Sequence, residues 1–166
     1  LAQAPTGSGK TIAFLLPVIE TIDPELRRPQ ALILAPTREL AQQIRSVAEM
    51  AARDTGISSV LIHGGTSYDP QRRALQGGAQ IVIGTPGRII DLIDQGALPL
   101  RDIRFFVLDE GDRMLDDGFG PDIDLLMGRL PQDRQVALFS ATVPDWLESM
   151  LTKYLSDPVR LEHGGD

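Results

Sequence analysis

The chain has 166 residues, a length that suits one globular domain, and its 42% hydrophobic content suffices for a core without disulfides or a structural metal. Cysteine is absent, which excludes thiolate catalysis, disulfide staples and cysteine zinc sites, and two histidines, His63 and His163, are too few for a His-rich metal centre. Sixteen basic residues against 23 acidic give a net charge of −7, which argues against a polybasic tail that grips nucleic acid or membranes in bulk. Any metal is therefore expected on oxygen ligands, and any nucleic acid must be held locally. No apolar run approaches the ~20 residues of a membrane span and no signal-peptide layout opens the chain, so the expectation is a soluble cytoplasmic protein without membrane contact.

In chain order, amphipathic helices are predicted at 10–19, 38–52, 70–76, 88–94, 120–130 and 144–154. Short apolar strands are predicted at 31–35, 59–62, 81–83, 103–108 and 135–139, with a weak one at 159–161. This alternation implies an α/β fold, a mostly parallel sheet with helices on both faces. Ligands of such folds sit beyond the carboxyl ends of the strands, so the residues that follow each apolar run deserve inspection.

The first such segment precedes the first helix. Residues 4–11 read Ala-Pro-Thr-Gly-Ser-Gly-Lys-Thr, which matches the phosphate-loop pattern G-x-x-x-x-G-K-[ST] except that Ala4 replaces its first glycine. Gly7 and Gly9 free backbone N–H groups to face an anion, Lys10 can reach the β- and γ-phosphates, and the Thr11 hydroxyl can ligate Mg²⁺. A glycine-rich turn capping an ordinary helix is the plainer alternative. The second segment closes the apolar run Phe105-Phe106-Val107-Leu108, which ends in Asp109-Glu110-Gly111-Asp112, the layout of a Walker B strand. A hard cation prefers carboxylate oxygen, which suits Asp109, and Glu110 is placed to polarise an attacking water. A solvated acidic turn is the competing reading, and the phosphate loop weakens it.

Two further strand ends share one design. Pro36-Thr37-Arg38 and Thr85-Pro86-Gly87-Arg88 each set a Thr and a Pro at a helix start with an Arg in the first turn, where a cation opposes the helix dipole unless an anion arrives. His63-Gly64-Gly65 supplies a third turn that permits close approach. Three such turns can track a sugar-phosphate backbone without reading bases, although each can also be an ordinary helix cap. Ser140-Ala141-Thr142 follows the last core strand, where its hydroxyls can bond the acidic motif or form a simple polar turn.

Taken together, these segments resemble the first RecA-like domain of DEAD-box ATP-dependent RNA helicases over nearly the whole chain. In order, residues 4–11 resemble motif I, 36–42 motif Ia, Gly64-Gly65 the glycine pair, 85–88 motif Ib, 109–112 motif II and 140–142 motif III. The resemblance implies that Ala4, Pro5, Thr6, Gly7, Ser8, Gly9, Lys10 and Thr11 bind ATP. It implies that Thr11 and Asp109 hold Mg²⁺, and that Lys10, Asp109 and Glu110 serve catalysis. Pro36, Thr37, Arg38, Gly64, Gly65, Thr85, Pro86, Gly87 and Arg88 would contact the RNA backbone, and Asp112, Ser140 and Thr142 would couple ATP to unwinding. Gly111 departs from the name-giving Asp-Glu-Ala-Asp, and Pro5 stands where many members have Gln. The family's adenine-reading motif upstream and its C-terminal RecA-like domain are expected outside these residues, so the isolated domain should be nearly inactive. A DNA helicase of the same superfamily, or a nucleotide-gated binding module without turnover, remain the alternatives.

Overall fold

The computed structural model describes residues 1–3 and 9–162. In chain order the elements are β1 (Ala2–Gln3), α1 (Lys10–Thr21), β2 (Ala31–Leu34), α2 (Arg38–Ala51), β3 (Ser59–Ile62), α3 (Tyr68–Gln76) and β4 (Ile81–Gly84). They continue as α4 (Pro86–Asp94), β5 (Phe105–Leu108), α5 (Gly111–Asp116), α6 (Gly120–Arg129), β6 (Gln135–Ser140), α7 (Asp145–Tyr154) and β7 (Leu161–Glu162). The strands lie in the order β3-β4-β2-β5-β6-β1-β7, and every pairing is parallel. This is the RecA-like α/β sheet expected from the alternation of apolar runs and amphipathic helices.

Each residue of β2 and β4 is buried, because helices cover both faces of a central parallel strand. Successive side chains of these strands enter opposite cores. Ala31, Ile33, Ile81, Ile83 and Val107 pack with Phe14, Leu15 and Val18 of α1 and with Ala41, Ile44 and Ala48 of α2. Leu32, Leu34, Val82, Phe106 and Leu108 pack on the other face with Ile89 and Leu92 of α4, Ile123 and Leu126 of α6, and Leu147 of α7. Among the described residues no helix is long and apolar enough to cross a membrane.

Several boundaries differ from the sequence expectation, each for a local reason. Helix α3 starts at Tyr68, two residues before Pro70, because Ser67 caps it by accepting the Asp69 N–H at 3.3 Å. Helix α4 starts at Pro86, where the fixed proline φ suits the first helical position. Residues 111–116, of which the sequence assigns 111 and 112 to the end of the acidic motif and none to a helix, form the short helix α5.

The register aligns the strand ends that matter. Ile62 pairs with Gly84, Gly84 with Leu34, Leu34 with Leu108, and Leu108 with Leu138. The segments beginning at His63, Thr85, Ala35, Asp109 and Phe139 therefore emerge side by side along one edge of the sheet. Gln3 pairs with Ser140, which brings the chain leading to α1 to the same edge. Only Gly fits at position 84, since a Cβ there would stand 2.1 Å from the Ile62 carbonyl oxygen.

Candidate nucleotide and nucleic-acid sites

Strands β5, β6 and β1 carry one half of this edge. Gly9 caps α1 in the left-handed region (φ 78°), a conformation that suits glycine. Lys10 and Thr11 form the first residues of α1. The Lys10 Nζ sits 3.1 Å from Asp109 Oδ1, and both side chains are nearly withdrawn from solvent, at 9% and 0% exposure. Oδ1 also accepts the Glu110 N–H at 3.0 Å. Asp109 Oδ2 is buried and has no hydrogen-bond partner among the described residues. Burial raises the Asp109 pKa, and the neighbouring Lys10 charge and hydrogen bond only partly reverse that shift. Ala4, Pro5, Thr6, Gly7 and Ser8 lie outside the described residues.

An uncompensated buried carboxylate oxygen calls for a hard cation or a donor. The described residues contain no cluster of three His, Cys, Asp or Glu side chains, so an ion at Asp109 would draw most ligands from water and from a bound anion. That mode suits Mg²⁺, which keeps several waters and uses one or two carboxylates, with the Thr11 hydroxyl as a further oxygen donor.

Glu110 occupies the left-handed region (φ 54°, ψ 51°) at the junction of β5 and α5, a conformation that costs a non-glycine residue about 1 kcal/mol or more. Its carboxylate lies 3.7 Å from Arg113 Nη1. Asp112, two residues on, joins α5 to the end of β6. Its Oδ2 accepts from the Thr142 N–H at 3.0 Å and the Thr142 hydroxyl at 2.9 Å, while its own N–H donates to Ser140 Oγ at 3.0 Å. Ser140 Oγ in turn donates to the Thr142 carbonyl at 2.6 Å. Burial acts to raise the Asp112 pKa, but the Thr142 and Ser140 hydrogen bonds outweigh it and hold the carboxyl below its ordinary value. The acidic motif and the Ser-Ala-Thr segment are thus one bonded unit.

Strands β3, β4 and β2 carry the other half. Pro36 is buried, Thr37 caps α2 by accepting the Leu40 N–H at 3.3 Å, and Arg38 is exposed with no ion-pair partner among the described residues. Gly64, Gly65 and Gly87 are exposed, and no atom of the described residues lies within 4 Å of the position a Cβ would take at any of them. Thr85 stands at the cap position of α4, yet its side chain makes no cap bond. Arg88 departs from the sequence expectation. It is only 8% exposed, with its guanidinium turned toward Tyr68, Gln71 and Thr66 rather than outward. Gln71 and Tyr68 are functional candidates that the motifs did not flag. Their signal was a glutamine on the buried face of α3, one turn from Leu75, where the helical period calls for an apolar residue.

Residues 1–150 match the DEAD/DEAH box helicase family. The chain belongs to that family. It is 48% identical over 159 residues to the ATP-dependent RNA helicase DeaD of Haemophilus influenzae, covering 95% of this chain and 26% of that protein. It is 45% identical to DEAD-box ATP-dependent RNA helicase 53 of Oryza sativa subsp. japonica, covering 100% of this chain and 28% of that one. The crystal structure of a DEAD box protein from Methanococcus jannaschii superposes with a TM-score of 0.93 at 40% identity, covering 97% of this chain and 44% of that one. The chain therefore spans about a quarter of the length of these sequence relatives. Within the DEAD-box framework, motif II of this domain reads Asp-Glu-Gly-Asp. Gly111 is buried in it, against Leu138 and Leu147.

Proposed function

We propose that this domain is the ATP-binding part of an ATP-dependent RNA helicase, which couples ATP binding and hydrolysis to local unwinding or remodelling of RNA. The observation that carries the reading is the buried Lys10–Asp109 pair, whose Oδ2 has no partner among the described residues, on the same sheet edge as three turns that bear exposed residues. Relatives named ATP-dependent RNA helicases support it. Ala4, Pro5, Thr6, Gly7, Ser8 and Gly9 would complete the phosphate loop around Lys10. Lys10 would contact the β- and γ-phosphates of ATP, and Asp109 with Thr11 would hold Mg²⁺, which would supply neutralisation of phosphate charge. Glu110 accepts the proton of the attacking water. Asp112, Ser140 and Thr142 pass a displacement of α5 to the end of β6, and so to the rest of the edge.

On the other half of the edge, RNA phosphates meet the backbone at Gly64, Gly65 and Gly87, the Thr37 and Thr85 hydroxyls, the Arg38 guanidinium, the Pro36 segment ahead of α2 and the start of α4 at Pro86. Such contacts give affinity without sequence specificity. A C-terminal RecA-like domain of the same protein would close over both ligands, and the working compartment would be the cytoplasm.

The test is steady-state ATP hydrolysis by the full-length protein with and without RNA. Glu110→Gln should lower the RNA-stimulated rate by at least about 100-fold while ATP still binds, the range general-base loss produces. An unchanged rate removes Glu110 as the base and with it the hydrolytic reading. Equal stimulation by single-stranded DNA overturns the assignment to RNA.

A further inference from the structure

The interior polar cluster behind the glycine turn has no part in the chemistry above. Gln71 Nε2 donates to the His63 carbonyl at 3.0 Å and to Thr66 Oγ1 at 3.2 Å, so one buried side chain holds both ends of the turn that presents Gly64 and Gly65. Arg88 Nη2 donates to the Thr66 carbonyl at 3.0 Å, and Arg88 Nη1 to Gln71 Oε1 at 3.4 Å. The Arg88 guanidinium carbon lies 3.8 Å from the centre of the Tyr68 ring, and the Tyr68 hydroxyl donates to Asp91 Oδ2 at 2.9 Å. Asp91 follows Arg88 by three residues on α4, so Tyr68 engages two neighbouring positions of that helix.

We propose that Gln71, Arg88 and Tyr68 form a brace that fixes the glycine turn at 63–66 against the helix start at 85–87. Arg88 is then a positioning residue of the RNA-binding edge and not itself a phosphate ligand. The proposal rests on the reading that these two turns contact RNA. Its argument is geometric. A cation in the first turn of a helix is unfavourable unless something compensates it, and here the compensation comes from the Tyr68 ring face and two protein acceptors. A guanidinium binds phosphate best through two parallel N–H bonds from an accessible fork, whereas each terminal nitrogen of Arg88 donates to an acceptor inside the protein and its Nε, without a partner among the described residues, is buried as well. Withdrawing Arg88 leaves the N–H groups of the turn and of the α4 start to meet the backbone. Those groups serve one ligand only if the two turns keep a fixed spacing, which the brace supplies across β3 and β4.

The test uses the full-length protein with Arg88→Lys, Gln71→Ala, Gln71→Glu, Tyr68→Leu and Tyr68→Phe. Two readouts are needed: the RNA concentration that half-maximally stimulates ATP hydrolysis, and hydrogen exchange of the amides at 63–66 without RNA. Arg88→Lys, Gln71→Ala and Tyr68→Leu should raise half-saturating RNA about tenfold, the scale of losing a buried hydrogen-bond partner, with kcat at saturating RNA retained. Tyr68→Phe keeps the ring face and should stay near wild type. The first three variants should also speed exchange at 63–66. Gln71→Glu keeps the acceptor for Arg88 but removes the donor to the turn, and it should behave as Gln71→Ala even if the alanine variant folds poorly. Arg88→Lys that raises half-saturating RNA with unchanged exchange at 63–66 would make Arg88 a direct phosphate contact, and near-wild-type values of both would remove it from this edge; either result overturns the brace. Should the wild-type protein not respond to RNA, the functional reading fails, while exchange at 63–66 still decides whether the brace exists.

Discussion

Replacing Gly111 by Ala, which would restore the family's Asp-Glu-Ala-Asp, should destabilise this particular chain. A Cβ at 111 would lie 2.6 Å from Leu138 Cδ1, 3.8 Å from Leu138 Cγ and 3.8 Å from Leu147 Cδ2. Carbon atoms pack at roughly 3.5–4.0 Å, so the first contact is about 1 Å too close. Gly111 is not among the glycines with positive φ, which makes the penalty one of volume and not of backbone conformation. Leu138 is 1% exposed and has no solvent to move into. Overpacking of this kind costs about 1–3 kcal/mol, against which the lower chain entropy of Ala returns about 0.5–1 kcal/mol. The net loss should lie between about 0 and 2.5 kcal/mol, toward the upper end because buried Leu138 has little room to shift, read as a shift in the urea midpoint, or as about 2–4 °C of Tm per kcal/mol for a chain this long. Leu138→Val alone should cost of the order of 1 kcal/mol by removing a buried methylene. The double variant should be little less stable than Leu138→Val, because the new methyl fills the vacated space. Additive losses, within about 0.5 kcal/mol, would refute the contact as the reason that glycine is kept here.

Lys10→Ala should strip Asp109 of its counter-ion and abolish ATP binding, measured by calorimetry on the full-length protein. The same variant should lose about 2–3 kcal/mol of stability at neutral pH, an amount discounted from the usual cost of breaking a buried pair because Asp109 can protonate. A carboxyl with a raised folded pKa destabilises the fold when ionised, so the deficit should shrink as pH falls toward the ordinary 3.8; a pH-independent deficit would count against the pairing. Asp112→Asn should cost about 1 kcal/mol at neutral pH, since the carboxylate accepts two bonds from Thr142. Because the folded pKa of Asp112 is lowered, its contribution is present above 3.8 and fades below it, and urea titrations at pH 7 and pH 3 should show the deficit closing. Thr37→Ala should cost about 1 kcal/mol as a lost helix cap, whereas Thr85→Ala, which breaks no cap bond, should stay within about 0.5 kcal/mol; equal losses would contradict the two cap geometries.

The sheet and most of its helices were legible because their signals are local. Apolar runs of four residues and helical stripes such as Ala41, Ile44 and Ala48 are set by burial, and burial follows residue type. Helix α5 was not legible, because its six residues are too short for a period and its start depends on Glu110 adopting a left-handed turn that no propensity favours. The chemistry-bearing strand ends were also readable, as each pairs unusual residues with an apolar run. Their grouping was not. In the chain, the segments at 36, 64 and 85 are separated by whole helices, and only the order β3-β4-β2 puts them side by side, with the ends of β5, β6 and β1 on the other half of the edge.

Arg88 marks the limit of reading charge from position alone. From the sequence, an Arg in the first turn of α4 asks for an anion, because the helix dipole leaves it uncompensated. The dipole argument is sound, but it does not say where the compensation comes from. Tyr68 lies 20 residues earlier, on a different helix, and offers a ring face at 3.8 Å with Asp91 beyond its hydroxyl. Arg38 begins α2 with the same charge, also after a threonine, yet it is exposed and has no ion-pair partner among the described residues. The same charge at the same helix position is thus left exposed in one case and turned inward against Tyr68, Gln71 and Thr66 in the other, a difference set by what the neighbouring helix offers.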